Sequence, residues 1–365
     1  MVVRMKKNKE AVYYGEYLQL DKILDAQSLQ SEKYAQPAHD EMLFIIVHQA
    51  YELWFKQVLH ELRSLLHIFR ADHVPDEALM TVVHRLNRVD KIQQLLNQQI
   101  GVMETMTPQD FLEFRDYLVP ASGFQSIQFK ELEISLGLQR DSRVPFDQQS
   151  FYTRISDQDR AHLAELEKQP SLFECVDDWL ARMPFLDMDD FAFDKHFKQA
   201  IEDNLAHDEE ILRSNDLLSE EELAQELKDM QSTRDNFAGL FDNGLYQQMQ
   251  AEGRVRLSQR ALQGALFINL YRDEPVFNLP FQVLSGLADM DDNMTIWRYR
   301  HAMMVQRMLG SKIGTGGSSG HDYLRKTTER NRIFTDLLNL ATYLLPKSAL
   351  PALPPQVLRA LGRNS

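Results

Sequence analysis

Two histidines in this sequence each lie on the apolar face of a predicted helix, and one of them is His301. It shares a stripe with Trp297, Met304, Val305 and Met308, which recur at the 3.6-residue period of an α-helix. An imidazole among methionines and a tryptophan is the environment expected of a haem axial ligand. The alternative is a buried histidine that only bonds to a neighbouring residue.

A glycine-rich segment follows the helix that carries His301. Gly310 can end this helix in a left-handed conformation, and five of the chain's 15 glycines lie between residues 310 and 320. No Lys-Ser/Thr pair closes the segment, and a helix rather than a strand precedes it, so it is not a phosphate-binding loop. The segment is therefore either a flexible connector or a loop whose backbone approaches a ligand closely.

The second histidine is His48, which shares an apolar stripe with Phe44, Tyr51 and Phe55. The run 40–69 contains no proline or glycine and is far longer than a buried strand, so it predicts a helix of about 30 residues. A second amphipathic helix, predicted near residues 77–104, would pack antiparallel to the first.

Arg115 lies near the end of a short predicted helix. The start of this helix is indicated by Thr107 as the cap, proline in the first turn and Asp110 at the third position. Pro120 marks where the helix must have ended. From the residues alone, Arg115 could simply form a surface salt bridge with Asp116.

The composition is that of a globular protein that can bury a sizeable core, with 44% hydrophobic and 26% charged residues. A net charge of −14 argues against a nucleic-acid partner, because such proteins carry a basic surface. No apolar run approaches the roughly 18 residues of a membrane span. The single cysteine, Cys175, excludes an intrachain disulfide and favours a reducing compartment. We therefore expect a soluble, cytoplasmic protein with no membrane partner.

Low glycine and proline contents, 15 and 13 residues, favour an all-α fold, which we predict to be one large single-domain bundle over residues 1–365. Ser156, Ser171 and Ser219 are each followed three residues later by an acidic residue, the pattern of a helix start. The helices predicted here cover about 157–168, 172–183, 190–213, 220–241 and 258–271.

Residues of about 140–250 are interpreted as a helical elaboration of the same domain. Residues 1–10 are predicted to be disordered. Pro275 and Pro280 are predicted to bound the link to the helices that carry Trp297 and His301. A last core helix or helix pair is predicted after the glycine-rich segment.

Four segments, in order along the chain, resemble the tryptophan 2,3-dioxygenase family, whose members open the indole ring of tryptophan. They are HDEMLFIIVHQAYELWFK, ETMTPQDFLEFRDYLVPASGFQS, RALQGAL, and WRYRH with GTGGSSG. The resemblance extends from Tyr14 to about Pro346. It implies a helical bundle that encloses haem b, and L-tryptophan and dioxygen as substrates. It also implies N-formyl-L-kynurenine as product, in the first step of the kynurenine pathway, and a homotetramer.

The resemblance also implies roles for individual residues. His301 would bind the haem iron, and His48 would contact the indole either as a general base or as a hydrogen-bond acceptor that orients the ring. Arg115 would bind the substrate carboxylate with two parallel bonds, and Thr315 would contact the amino-acid end. The remaining residues implied to bind substrate are Phe44, Ile45, Ile46, Val47, Ser122 and Gly123, with Tyr14, Tyr17 and Leu18 supplied by a neighbouring subunit.

Two positions depart from the family pattern. Phe111 replaces a tyrosine of some members, so a hydroxyl contact to substrate is lost, and Ile100 replaces an aromatic residue near the haem. Three other functions stay open: a haem enzyme acting on another aromatic amino acid, a haem sensor or carrier without turnover, and a helical interaction module. Arg115 and Thr315 argue against a carrier, because a carrier needs no amino-acid site.

Overall fold

The structure, a computed structural model, describes residues 10–140, 155–183, 193–310, 324, 328 and 330–355. These residues form helices joined by turns and irregular segments, with no β-strand among them, so the predicted all-α fold is confirmed. The α-helices are α1 Tyr14–Leu18, α2 Leu20–Leu24, α3 Gln30–Lys33, α4 Asp40–Phe69, α5 Asp76–Met103, α6 Pro108–Arg115, α7 Ile127–Leu136, α8 Asp157–Leu166, α9 Leu172–Ala181, α10 Phe193–Arg213, α11 Glu220–Gly239, α12 Asn243–Ala251, α13 Gln259–Leu270, α14 Asn278–Leu309 and α15 Thr335–Asn339. The 3-10 helices are Asp116–Leu118, Gly123–Gln125, Pro275–Phe277, Leu340–Tyr343 and Lys347–Ala349.

The two long helices α4 and α5 pack side by side in opposite directions. Gln99 Nε2 donates to the Val47 carbonyl at 3.1 Å, and Arg88 Nη1 donates to Glu61 Oε1 at 2.9 Å. Later residues of α4 thus meet earlier residues of α5, which confirms the antiparallel arrangement. Each apolar stripe is buried against the other helix, and this burial stabilises two helices of 30 and 28 residues.

The third long helix, α14, packs against α5 in the same direction. Gln93 Nε2 donates to the Met290 carbonyl and Asn97 Nδ2 to the Asn293 carbonyl, both at 3.2 Å. Gly286 allows a close approach, because a Cβ there would lie 3.1 Å from the Cβ of Leu86. The hydrophobic core is continuous from this contact into α9 and α13. Packing between α4, α5 and α14 therefore fixes the positions of the side chains that these three helices present to the interior.

The predicted helices α8 to α11 are confirmed, with ends that differ by a few residues. Helix α12 was not predicted, because its Asn-Gly start is typical of a turn. Its first turn is stabilised by Asp242 Oδ1, which accepts from the backbone N–H of Leu245 at 2.8 Å. The disorder predicted for residues 1–10 falls on residues that, except for Glu10, lie outside those described.

The prediction that Pro280 bounds a link before α14 was wrong. Pro280 is the third residue of α14, and the first backbone N–H groups of a helix have no partner within the helix, so a proline fits there. Gly310 ends α14 with φ 58° and ψ −128°, which differs from the left-handed conformation expected but is still one that favours glycine. No described helix combines the length and the apolar character that a membrane span requires.

After the glycine-rich segment, the described residues 324, 328 and 330 are helical, in the region where a last helix or helix pair was predicted. Helix α15 and the 3-10 helices Leu340–Tyr343 and Lys347–Ala349 follow. Residues 331–334 are irregular, and the backbone N–H groups of Ile333 and Phe334 donate to the buried Asp291 carboxylate on α14. Side-chain acceptors thus satisfy backbone groups that a longer helix would have paired internally.

Candidate active site

A cavity opens between α4, α5, α7 and α14, and about 1040 Å³ of it is free of protein, including a part open to solvent. Both histidines singled out from the sequence line it, although they lie about 250 residues apart in the chain. Other residues that line this cavity include Val47, Tyr51, Phe55, Ile100, Met103, Gly123, Phe129, Trp297 and Met304. The lining is thus largely apolar and aromatic, as in sites for flat organic ligands.

His301 lies on the α14 side of the cavity. The ring of Trp297, one helical turn earlier, stacks on its imidazole with the centroids 5.0 Å apart and 29° between the planes. Its Nδ1 atom is buried and has no hydrogen-bond partner among the described residues. Burial lowers the pKa of His301 to about 4, with a smaller contribution from His48. The imidazole is therefore neutral at pH 7, the form that binds a metal ion.

His48 lies on the α4 side of the same cavity. Its Nδ1 is 2.7 Å from the carbonyl oxygen of Phe44. A carbonyl only accepts, so Nδ1 carries the proton and Nε2 of the neutral ring is left as an acceptor. Burial lowers the pKa of His48, and the Phe44 bond and the charge of Glu52 oppose that shift. A neutral His48 can thus accept a hydrogen bond from a ligand.

Phe44 belongs to a cluster of aromatic rings beside His48. Its ring centroid lies 4.2 Å from that of His48, 5.8 Å from Phe111 and 5.6 Å from Phe114. Phe111 and Phe114 both come from α6, so this cluster joins α6 to α4. Phe111 packs in this cluster through its ring, and as a phenylalanine it has no hydroxyl that could contact a substrate.

Arg115 is the last residue of α6. The capping box predicted for this helix is present, because Asp110 N donates to Thr107 Oγ1 and Thr107 N donates to Asp110 Oδ2. The Arg115 side chain is only 16% exposed, and its Nη1 lies 3.7 Å from Asp116 Oδ1, whose own side chain is 86% exposed. A long contact between a guanidinium and an exposed carboxylate contributes little to stability.

The turn that holds Ser122 and Gly123 is fixed by its own hydrogen bonds. Phe124 N donates to Ser122 Oγ, and Ser122 N donates to Gln125 Oε1 at 3.0 Å. A Cβ built on Gly123 would meet no atom within 4 Å, so the cavity has free space beside this backbone. That space is what a bulky ligand above the turn would need.

The structure brings some of the expected site residues together and not others. Val47, His48, Gly123 and His301 line the cavity, and Phe44, Ser122 and Arg115 lie on elements that adjoin it. Ile46 is exposed, Ile45 is half-buried and neither lines the cavity. Tyr14 and Tyr17 are each 75% exposed and Leu18 is half-buried, on a helix that buries none of its residues. Thr315 lies outside the described residues.

One pair of charged residues in the lining was missed from the sequence. Arg298, which lies outside the apolar stripe of its helix, is buried and donates to Glu133 Oε1 on α7 at 2.9 Å. It also donates to the carbonyl of Asn331 at 2.9 Å. The available signal was its position, three residues before His301, which puts both residues on neighbouring parts of the helix surface. The pair fixes α14 against α7 beneath the cavity.

The fold and this cavity define a class: an all-α protein whose long helices present two neutral histidines to one interior space. The family model for Tryptophan 2,3-dioxygenase matches residues 3–344. A Tryptophan 2,3-dioxygenase of Alteromonas mediterranea is 62% identical over 98% of this chain and 99% of its own length. Those of Dictyostelium discoideum and Bdellovibrio bacteriovorus are 46% and 45% identical, over 95% and 94% of this chain and 87% and 96% of their own lengths.

The chain therefore belongs to the tryptophan 2,3-dioxygenase family. It is an enzyme that oxygenates tryptophan, as the resemblance in the sequence implied. This confirms the expected family and enzyme class and excludes the helical interaction module and the carrier without turnover.

Proposed function

We propose that this enzyme binds haem b through His301 and adds both atoms of dioxygen across the C2–C3 bond of the L-tryptophan indole. The product is N-formyl-L-kynurenine, in the first step of tryptophan degradation by the kynurenine pathway. The observation that carries the proposal is the pair of neutral histidines lining one apolar cavity, His301 with a buried Nδ1 and His48 with Nδ1 bonded to backbone.

The described residues fit a haem. A neutral imidazole is the donor that a haem iron takes, and the surrounding aromatic and aliphatic side chains suit a porphyrin face. The cavity also has open space beside the Gly123 backbone, where a Cβ would meet no atom within 4 Å. When bound, the haem supplies the iron at which dioxygen is activated. In this proposal His301 holds the group and the other residues place the substrate.

The residues on the α4 and α6 side would place tryptophan by its two ends. His48 Nε2 accepts the indole N–H, and the Phe44 ring supplies an apolar face for the indole. Arg115 holds the carboxylate through two parallel N–H···O bonds, which fix direction as well as charge. Thr315 contacts the amino-acid end, and Ser122 with Gly123 forms the part of the pocket above the haem. Val47 lies in the lining beside His48, with Ile45 and Ile46 on the same helix.

His48 acts in this proposal by orienting the indole rather than by removing its proton. Imidazole has a reference pKa of about 6.5, and burial lowers the pKa of His48 further, so its Nε2 is a weak base. A neutral indole N–H is a much weaker acid than imidazolium, so proton removal would be steeply uphill. Accepting one hydrogen bond requires no such step.

The proposal extends to the assembly and the location of the enzyme. Tyr14 and Tyr17 expose most of their surface on α1, and aromatic side chains left so exposed mark a contact surface. We place these residues, with Leu18, against the substrate pocket of a neighbouring subunit in a homotetramer. The net charge of −14 and the single cysteine suit a soluble cytoplasmic enzyme, and residues 1–365 form one domain.

The test is a spectrum followed by a labelled turnover. The purified protein should show a Soret band that shifts when L-tryptophan is added, and turnover under ¹⁸O₂ should give N-formyl-L-kynurenine with two labelled oxygens. A protein that oxygenates tryptophan with no haem bound would overturn the cofactor assignment. A product with one labelled oxygen would overturn the proposed reaction.

A further inference from the structure

Residues 30–38, which we call the arm root, attach the N-terminal helices to α4. The backbone N–H groups of Gln30 and Ser31 donate to the two carboxylate oxygens of Glu41 at 2.7 and 2.9 Å. Glu41 is fully buried, and so is Ser31, whose Oγ accepts from the backbone N–H of Ala38 at 3.1 Å. Hydrogen bonds to a buried charged acceptor are the stronger kind, so the arm root is held firmly at the start of α4.

The arm root makes a second contact, with the turn that follows Arg115. Tyr34 stacks on Tyr117 with the ring centroids 4.7 Å apart and 14° between the planes. The Tyr117 hydroxyl donates to Gln36 Oε1 at 2.6 Å. Tyr34 is 62% exposed, so this stack forms at the surface rather than in the core. Surface stacking combined with a short hydrogen bond indicates a specific contact.

Arg115 thus lies between two aromatic anchors. On the inner side, Phe114 is fully buried and packs on Phe44 of α4. On the outer side, Tyr117 lies in the 3-10 helix that follows α6 directly and is held by the arm root. The end of a short helix frays unless its neighbours hold it, and Arg115 is the last residue of eight in α6. The outer anchor therefore holds the chain at the end of α6, two residues after Arg115.

We propose that Tyr117 is a positioning residue for Arg115, and that Tyr34 and Gln36 of the arm root hold Tyr117 in place. The inference rests on the proposed function, in which Arg115 binds the substrate carboxylate. Tyr117 therefore acts on the amino-acid end of the substrate and on neither the indole nor the haem. Because α1 and α2 lead directly into the arm root, the segment that contacts a neighbouring subunit is also joined to the carboxylate site.

The experiment compares variants that remove the two contacts separately. Tyr117→Phe and Gln36→Ala each remove the hydrogen bond, and Tyr34→Leu removes the stack. Each should raise the KM for L-tryptophan about 2- to 10-fold, the usual worth of one such contact, with little change in kcat. Tyr34→Phe keeps the stack and should match the parent. The Tyr117→Phe/Gln36→Ala double variant should be no worse than either single variant, because both remove the same bond.

Two further measurements show whether the effect is specific to the carboxylate. Tryptamine lacks the carboxylate, so its kinetic constants should be unchanged in all these variants, and haem content should stay at the parent level. The Kd for L-tryptophan, from titration of the absorption spectrum, should rise with KM. Tyr271→Phe is the matched control, because it removes a tyrosine hydroxyl bond of 2.8 Å to the Pro351 carbonyl, outside the proposed site. It should leave every constant unchanged.

The outcomes separate this inference from the proposed function. A strong effect of Arg115→Leu together with unchanged constants in Tyr117→Phe and Tyr34→Leu overturns the positioning role alone. Equal losses for tryptophan and tryptamine, or a fall in haem content, also overturn it, because they show a merely structural role. If Arg115→Leu itself leaves the KM for tryptophan unchanged, both the carboxylate assignment and this inference fail.

Discussion

The two histidines of the cavity have the same local surroundings but different hydrogen bonds. Each follows an aromatic residue by four positions on a long helix, and each ring contacts that residue: Phe44 with His48 at 4.2 Å, Trp297 with His301 at 5.0 Å. His48 Nδ1 is bonded to backbone, whereas His301 Nδ1 has no partner in the described part of the chain. The first arrangement leaves Nε2 of His48 as an acceptor, and the second leaves the neutral His301 ring able to bind a metal ion; we propose the substrate indole and the haem iron as the respective ligands.

Of the two histidines, His301 should give the largest effect when it is replaced, and that effect should be on haem binding. In His301→Ala the haem should be lost or loosely held, with occupancy reduced more than about tenfold, since even residues outside a ligand set change metal affinity 10–100-fold. Haem per chain is measured from the absorption spectrum, with far-UV circular dichroism to confirm that the helices persist. His48→Ala is the control and should keep its haem. Normal occupancy with an unchanged histidine-ligand spectrum in His301→Ala would contradict the assignment.

Arg115 tests whether the His48 side of the cavity belongs to the substrate. Arg115→Leu removes a charge-assisted pair to the carboxylate worth about 1.5–3 kcal/mol, so the KM for L-tryptophan should rise about 10- to 150-fold. Tryptamine should be a poor substrate of the parent and no worse for the variant. Steady-state kinetics with both substrates decides the matter. An unchanged KM for tryptophan would favour the alternative interpretation, in which Arg115 only forms a surface salt bridge.

His48 distinguishes an orienting acceptor from a base. One hydrogen bond left unmade should slow turnover of His48→Ala about 5- to 150-fold, whereas loss of a general base typically costs about 10²–10⁴. We expect turnover to remain within about two orders of magnitude of the parent. Product is quantified after a single turnover, with haem occupancy and tryptophan binding measured separately. If both of these were intact and no product formed, His48 would be an obligatory base.

The aromatic partners should give a smaller effect that differs between the two sides. Phe44→Leu should raise the KM for tryptophan by about 2- to 10-fold, since aromatic contacts contribute roughly 0.5–1.5 kcal/mol beyond their buried area. Trp297→Leu should instead weaken haem retention and leave that KM unchanged in the haem-bound fraction. Kinetics and haem content are measured on both variants. Matching changes in the two variants would show that the two sides are not functionally distinct.

The smallest expected effect is one of pH. Burial lowers the pKa of His48 below its ordinary value of about 6.5, so the ring is half protonated only at a pH below 6.5. The half-loss of kcat/KM caused by protonation of His48 should therefore fall below pH 6.5. A half-loss above pH 6.5 that disappears in His48→Ala would contradict this.

The long helices could be predicted because each carries its own periodic apolar stripe. The helix predicted over 40–69 and the capping box at Thr107 both follow from residues close in sequence. Helix α12 could not be predicted in this way, because an Asn-Gly start is ordinarily a turn signal. Its Tyr246 is almost fully buried against distant parts of the chain, and that tertiary packing outweighs the local preference.

The candidate site could be predicted only in part. The stripes identified His48 and His301 separately, but nothing local shows that they line one cavity. The position of Arg298 three residues before His301 places it near the site, but its burial depends on Glu133, which lies 165 residues away in the chain. The stack between Tyr34 and Tyr117 likewise joins residues that are far apart in the sequence. Contacts between distant segments are set by the packing of the three long helices and not by any short pattern.

The parallel packing of α5 and α14 has a consequence for synthesis of the chain. Gln93 and Met290, which meet in this contact, are 197 residues apart. At 5–20 residues per second, a ribosome needs about 10–40 s to add that many residues. Throughout that interval the apolar face of α5 that will receive α14 has no partner, and no cavity exists. The nascent chain is therefore open to aggregation or chaperone binding during that interval, and a haem held by His301, as proposed, could enter only after α14 has been made.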